Sequence, residues 1–487
     1  MRTGTLVARN ALAMLAAQAV TSVLSFIAVP LTVRALGTAE YGNLWLATSI
    51  VAFAALLFEW GQEGYIPFAV AQDPGKAREL LAVTVVLRLL LAVVIAFPLE
   101  GVLLLLRYPP QMHVLVFLMY TASVITSVGA GAMAVVRGLE RMGSNAAARI
   151  VIDSVHTGLI VLALSLGAKA RGVALAEIAV GCVAVLVCSR MIWRNKIRPA
   201  PFTREAARQV LRRGSAFVLW GSIIALQPSL EAVLLSKLSS ADVVGWFGAS
   251  VRLLAFLLFP AYILGGAIGP TLARLRAQDD AAFARTVRDA VRAALLLGAP
   301  VATGAFVFAS RGVAFVYGSG FERTADIVRV LSGYVIPLFL NVVLGTAIMS
   351  GQRRLAWALW KGAMVVGGAG ISLFLIPWAQ SAYGNGGLGA AGVTVGAECV
   401  LSVVAIALLG RSTFDLREVA DVLRALAAAA AMAVAARLLG PTPFAVALLG
   451  SLLAYGLALI ATGAIGSREA VLLRDSLRAS RLGRENG

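Results

Sequence analysis

Apolar runs of about 20 residues follow one another from Asn10 to Ile465, parted by short stretches in which charged and turn-forming residues collect. Each run is continuous and long enough to cross a hydrocarbon core of about 30 Å as a helix. Inside a bilayer the backbone has to satisfy its own hydrogen bonds, which only helices and closed barrels do. Barrel strands would alternate in polarity, and these runs do not. Their centres fall near residues 22, 53, 93, 125, 158, 182, 226, 257, 302, 338, 367, 399, 431 and 454. The pattern therefore predicts an all-α, polytopic membrane protein of about 14 transmembrane helices.

Composition agrees with that pattern and narrows it. Of 487 residues, 60% are hydrophobic and only 14% charged, against roughly 25% charged in soluble domains. A water-facing surface cannot be built from so few polar residues. The net charge of +18 would fit a nucleic-acid partner only if it formed a basic face with stacking aromatics on a water-exposed module. Instead the excess lies in short connections between spans, where it sets topology and attracts anionic membrane lipids. Assigning the connections alternately puts about 31 of the 42 Lys and Arg on one side and about 8 on the other, so both termini are expected in the cytoplasm, in the inner (plasma) membrane. Arg2 and Arg9 precede an apolar stretch reaching about Val33, too long for a cleaved leader and read as a first span. Cys182, Cys188 and Cys399 all fall inside apolar runs and are read as inert.

The heaviest basic stretch runs from Arg190 through Arg213 between spans six and seven and reads as a linker with an interfacial amphipathic helix. It also divides a repeat. At a constant offset of 203, Arg34 meets Lys237, Gly42 meets Gly245 and Pro67 meets Pro270, while Arg137-Gly-Leu-Glu-Arg141 parallels Ser350-Gly-Gln-Arg-Arg354. The expected organisation is an N-terminal lobe at 1–195 with spans one to six, a cytoplasmic basic linker at 196–213, a C-terminal lobe at 214–412 with spans seven to twelve, and a last pair of spans with a cytoplasmic tail at 413–487. Both copies begin on the same side, so their pseudo-two-fold axis runs along the membrane normal. Pro30, Pro98, Pro228, Pro260, Pro300, Pro337 and Pro377 are expected to bend or end spans.

Several segments resemble the polysaccharide-transporter, O-antigen-flippase-like branch of the multidrug/oligosaccharidyl-lipid/polysaccharide (MOP) exporter superfamily. They are Leu36-Gly-Thr-Ala-Glu-Tyr-Gly-Asn-Leu, Trp60-Gly-Gln-Glu-Gly-Tyr-Ile, Arg137-Gly-Leu-Glu-Arg-Met-Gly, Val244-Gly-Trp-Phe-Gly-Ala-Ser-Val-Arg252 and Val316-Tyr-Gly-Ser-Gly-Phe-Glu. The resemblance implies two six-helix lobes in a V, as in multidrug (MATE) exporters, with two further C-terminal helices of the kind found in peptidoglycan-precursor flippases. It implies a flippase that moves a polyprenyl-pyrophosphate-linked oligosaccharide across the cytoplasmic membrane by alternating access, for cell-surface polysaccharide. Glycan polymerases or glycosyltransferases are the expected protein partners.

A pyrophosphate headgroup crossing oil needs cations and hydrogen bonds along its path. Arg252 in span eight, which also matches the family's span-eight arginine, Arg88 in span three and Arg329 in span ten are the candidate substrate contacts, because a guanidinium forms paired, permanently charged bonds to phosphate. Gln62 and Gln227 supply amides beside them. The alternative for Arg252 is a structural ion pair between helices, and Arg88 reads more readily as a cation neutralised by a carboxylate of span two. Glu59 and Glu63 share a helix face, as do Gln227 and Glu231, so Glu59, Glu63 and Glu231 are candidates for coupling to H+ or Na+. Asp153 with His156, Glu177 and Glu398 read more simply as lobe-stabilising pairs. No enzyme signature emerges. Gly384-Asn-Gly-Gly-Leu-Gly389 has no strand before it, Asp279-Asp280 suits a helix cap, and His113 and His156 are too far apart in sequence for a local motif. No catalytic residue, metal or cofactor is expected. A drug or metabolite cation antiporter of the same superfamily and a membrane scaffold for glycan assembly remain the competing readings.

Overall fold

The computed structural model describes residues 2–410 and 417–464. Among them run sixteen α-helices and no strand. They are α1 Arg2–Glu59, α2 Gln62–Gln72, α3 Ala77–Leu105, α4 Pro110–Gly138, α5 Met142–Ser165, α6 Ala170–Arg194, α7 Arg204–Leu238 and α8 Ala241–Leu257, followed by α9 Phe259–Gln278, α10 Asp280–Val307, α11 Ala309–Tyr317, α12 Glu322–Met349, α13 Arg354–Tyr383, α14 Gly387–Leu409, α15 Arg417–Leu438 and α16 Phe444–Ala461. Among the described residues ten helical stretches are long and apolar enough to cross a membrane, or twelve if each of two bent pairs forms one span. The protein is a multi-pass, all-α membrane protein. The expected tail beyond residue 464 lies outside the described residues.

Local sequence explains the breaks. α1 is two helices merged across Gly37, whose φ of 73° and ψ of 179° suit a residue without Cβ. Pro30, Pro98, Pro228, Pro300, Pro337 and Pro377 lie inside helices, where each removes one amide donor. Pro260 instead sits in the first turn of α9, where an amide would be unpaired anyway, and the helix axis bends there by 46° between α8 and α9.

The chain parts into two compact units, one of Met1–Ala249 with Ala369–Gly387, the other of Ser250–Gly368 with Leu388–Gly487. In the first, Ile66, Val70, Val83, Val135, Ile192 and Val210, from α2, α3, α4, α6 and α7, close one core. The basic linker is strapped onto this core. The Ala200 amide donates to the Arg78 carbonyl at 3.0 Å, the Arg78 Nε to the Arg198 carbonyl at 2.9 Å, and the Trp60 indole to the Leu211 carbonyl at 2.9 Å. Thr203 caps α7 by accepting from the Ala206 amide.

Within the same unit, the second half of α1 crosses the start of α8 at two glycines that the repeat relates. A Cβ on Gly42 would lie 2.1 Å from the Ala241 carbonyl oxygen, and a Cβ on Gly245 would lie 2.1 Å from the Thr38 carbonyl oxygen. At the offset of 203, Thr38 corresponds to Ala241, so the contact is reciprocal, as at a two-fold axis. The Thr38 hydroxyl donates to Asp242 Oδ1, and Trp45 meets Phe247 edge-on at 5.7 Å.

In the second unit α10 packs on α12, α9 and α15, and α15 on α16. The Tyr455 hydroxyl donates to the Leu296 carbonyl at 2.8 Å, and Arg292 pairs with Asp421 at 3.5 Å, so the last two described helices are fastened to α10 by both polar and apolar contacts.

Candidate functional site: a balanced charge cluster and an exposed arginine

Four of the sequence candidates come together in the first unit. Glu59 ends α1, Gln62 and Glu63 open α2 after the left-handed Gly61 (φ 65°), and Arg88 reaches them from α3. Arg88 is completely buried. Its Nη1 lies 3.8 Å from Glu59 Oε1 and donates to the Ser127 carbonyl. Its Nη2 lies 3.3 Å from Glu63 Oε1, and its Nε donates to Gln62 Oε1 at 3.2 Å. Gly131 of α4 makes the room, since a Cβ there would fall 2.3 Å from the Thr84 methyl and 3.5 Å from Arg88 Nε. A fifth residue, Arg137, also binds Glu63 through Oε2.

Two guanidinium groups thus face two carboxylates. Burying Arg88 would be prohibitive without this compensation. The carboxylate partners foreseen for Arg88 are the ones it has. Glu59 and Glu63 keep side-chain exposures of 26% and 38%, while Arg88 keeps none. The exposed part of the cluster is thus Glu59, Glu63 and Arg137, the last with a side-chain exposure of 33%. Gln62 is buried, and its Nε2 has no partner among the described residues.

The remaining candidates lie elsewhere. Gln227 Nε2 donates to Glu231 Oε1 at 3.1 Å, one turn apart on α7 beside Pro228. Arg329 is tied to Asp326 at 2.8 Å and to the Ser310 hydroxyl near the start of α12. Arg252 is different: it is exposed on α8 and enters no ion pair or hydrogen bond among the described residues. Of the weaker candidates, His156 pairs with Glu177 at 2.9 Å, whereas Asp153 lies 3.7 Å from Arg149. Asp279 caps α10 by accepting from the Ala282 amide at 2.9 Å.

A polar knot that the sequence did not disclose occupies the second unit. Asn341 Nδ2 on α12 donates to Glu398 Oε2 at 2.6 Å and to the Glu398 carbonyl at 2.9 Å, and the Ser402 hydroxyl donates to Asn341 Oδ1 at 3.1 Å. Only Glu398 of the three attracted notice, because an Asn or Ser in a span carries no charge penalty. The role of Arg137 was equally hidden, since it depends on how α2 and α4 align.

The fold is that of the MOP exporters. Over 93% of this chain and 99% of the other, the structure superposes on the lipid II flippase MurJ in an inward closed conformation with a TM-score of 0.71 at 12% identity. An inward-facing multidrug resistance MATE family transporter of the MOP superfamily matches over 78% of this chain and 92% of its own with a TM-score of 0.63 at 15% identity. A MOP superfamily transporter from Pyrococcus furiosus matches over 82% and 93% with a TM-score of 0.57 at 14% identity. The family model described as polysaccharide biosynthesis protein matches residues 7–276, more than half of the sequence, and the chain belongs to that family. Comparison with curated proteins finds no match. The protein is therefore a member of the polysaccharide biosynthesis protein family with the fold seen in the lipid II flippase and the MATE transporters.

Proposed function

We propose that the protein flips a polyprenyl-pyrophosphate-linked oligosaccharide across the cytoplasmic membrane by alternating access, with both termini in the cytoplasm. The observation that carries this reading is Arg252. Arg88, Arg137, Arg292 and Arg329 all have carboxylate partners, which is what a low-dielectric environment demands of a charge. Arg252 lies in a helix of apolar sequence and has none among the described residues. A guanidinium kept in a span without an internal partner is suited to an anion that comes and goes, and a pyrophosphate is such an anion. Membership of the polysaccharide biosynthesis protein family favours a glycan-linked cargo.

Reconstituted liposomes test it. With fluorescent lipid-linked oligosaccharide in the inner leaflet, wild-type protein is expected to expose the sugar to an external glycosidase, and Arg252→Ala to lose at least about tenfold in rate at equal reconstitution, the scale of one charge-assisted bond. Equal flipping by the variant removes Arg252 from the mechanism. No flipping by either protein favours a scaffold within a glycan-assembly complex.

A cation antiporter is the second reading, favoured by the partial exposure of Glu59 and Glu63 and by the fold shared with multidrug transporters. In both readings Glu59, Glu63 and Glu231 are the carboxylates for coupling to H+ or Na+. An imposed proton or sodium gradient that drives drug uptake but leaves the lipid-linked sugar where it was would favour the antiporter.

A further inference from the structure

The two repeats differ where they should match. In the first copy, Gly138 at the end of α4 packs against α2, where a Cβ would lie 2.5 Å from Val70 Cβ and 2.7 Å from the Pro67 carbonyl oxygen. Val70 is itself fully buried. This corner is closed by apolar side chains and by the linker packed beneath them. At the offset of 203, Val70 becomes Ala273 and Asp73 becomes Arg276, while the parallel of Arg137-Gly138 with Ser350-Gly351, ten residues further out of register, sets Gly351 against Gly138. The small alanine leaves space and the reversed charge changes its character. Gly351 has only the Ile348 carbonyl at 3.5 Å and Arg276 Nε at 3.6 Å near it. The equivalent corner of the second unit is a cavity of about 850 Å³ lined by Arg276, Arg353 and Arg354 together with Asp280.

The arginines are arranged for an anion. Arg276 is held in place from two sides, by Asp280 Oδ1 at 3.1 Å and by the Phe283 ring, whose centroid lies 4.8 Å from the guanidinium carbon. Arg353 uses Nη1 to bind the Leu408 carbonyl at 2.7 Å, which fixes its position at the end of α14 and leaves its other donors available. Arg354 is exposed and tied to no carboxylate among the described residues. Among the described residues, three guanidinium groups against the carboxylate of Asp280 make the lining positive. It opens where α9, α12 and α14 end and α10 begins, at one end of the unit.

We infer that this cavity binds a phosphate-bearing headgroup. Guanidinium groups match phosphate oxygens in pairs, and a positive recess at a helix-end rim lies at the depth of lipid headgroups. Its volume exceeds that of a bare phosphate and suits one with a polar substituent. The site is separate from Arg252 and does not depend on which cargo is flipped.

The test uses purified full-length protein in nanodiscs of phosphatidylcholine, alone or doped with phosphatidylglycerol. Native mass spectrometry reads the retained lipid, and inorganic pyrophosphate is added as competitor and as sole ligand. Wild type is expected to retain phosphatidylglycerol over phosphatidylcholine or to bind pyrophosphate. Displacement of the lipid by pyrophosphate identifies the phosphate itself as the recognised group, and retention in its presence identifies the whole lipid headgroup. Arg354→Gln should weaken binding about tenfold, as expected for a lost charged hydrogen bond. Ala277→Trp, which fills the cavity and keeps every charge, should do the same without touching a braced arginine. Absence of binding by either probe, or wild-type affinity in both variants, overturns the inference, and neither result bears on flipping.

Discussion

At the scale of single residues, the decisive fact is that Arg88 is fully enclosed and compensated. Removing the cation takes the guanidinium away from Glu59 and leaves a void at a fully buried position while Glu63 keeps Arg137. Arg88→Ala should therefore destabilise the protein, by less than the ~3–5 kcal/mol of breaking a fully buried pair because both carboxylates are partly exposed. It should be visible as a drop in the melting temperature of detergent-solubilised protein. Glu63→Gln should cost less, because Glu59 still faces Arg88 and the amide still accepts. A double-mutant cycle between positions 63 and 137 should show clear coupling, since Arg137 holds Glu63 from the other side. Additive effects at these positions would mean that the pair contributes nothing. Much of this site was legible beforehand: Glu59 and Glu63 are four apart, and a lone Arg in the following span needs such a partner. The Ser127 carbonyl, Arg137 and the Asn341 knot were not legible, because each depends on the register between helices distant in sequence.

Among the elements, the crossing of α1 and α8 makes the sharpest demand. Gly42→Ala places a methyl 2.1 Å from a carbonyl oxygen that belongs to a helix backbone, and backbone cannot swing aside as a flexible side chain can. The substitution should lower the melting temperature strongly or abolish folded protein. Gly101→Ala, inside α3 with nothing within 4 Å, should instead be neutral or stabilising by up to about 1 kcal/mol, because alanine is the better helix former. Similar melting of the two variants would contradict the close approach. The spans themselves were readable because apolar length is what a bilayer selects. The short α11, Ala309–Tyr317, escaped notice since nine residues of mixed polarity carry no span signal, and the merging of two spans into α1 across Gly37 is a matter of backbone angle.

For the whole molecule, the charge asymmetry of the connections makes a topological prediction. After the native Cys182, Cys188 and Cys399 are replaced, Gln278→Cys should be labelled by a membrane-impermeant maleimide only in opened cells, and Gln111→Cys in intact ones. The opposite pattern would invert the orientation and with it the direction of transport. The reciprocal crossing at Gly42 and Gly245 joins two of the glycines that the offset of 203 matches in the sequence. What differs between the copies of the repeat, a filled corner in one and a charged hollow in the other, was not readable, because a change from Val70 to Ala273 looks conservative until its neighbours are known.

The charge cluster around Arg88 has an electrical consequence. With all four groups ionised, Arg88, Arg137, Glu59 and Glu63 sum to zero, so a lobe that carries them as a rigid body through the field moves no net charge there, and the membrane voltage does no work on the cluster. If turnover proves sensitive to voltage, that sensitivity has to come from charge outside this balanced set: the cargo, a co-transported ion, or an unmatched group such as Arg252.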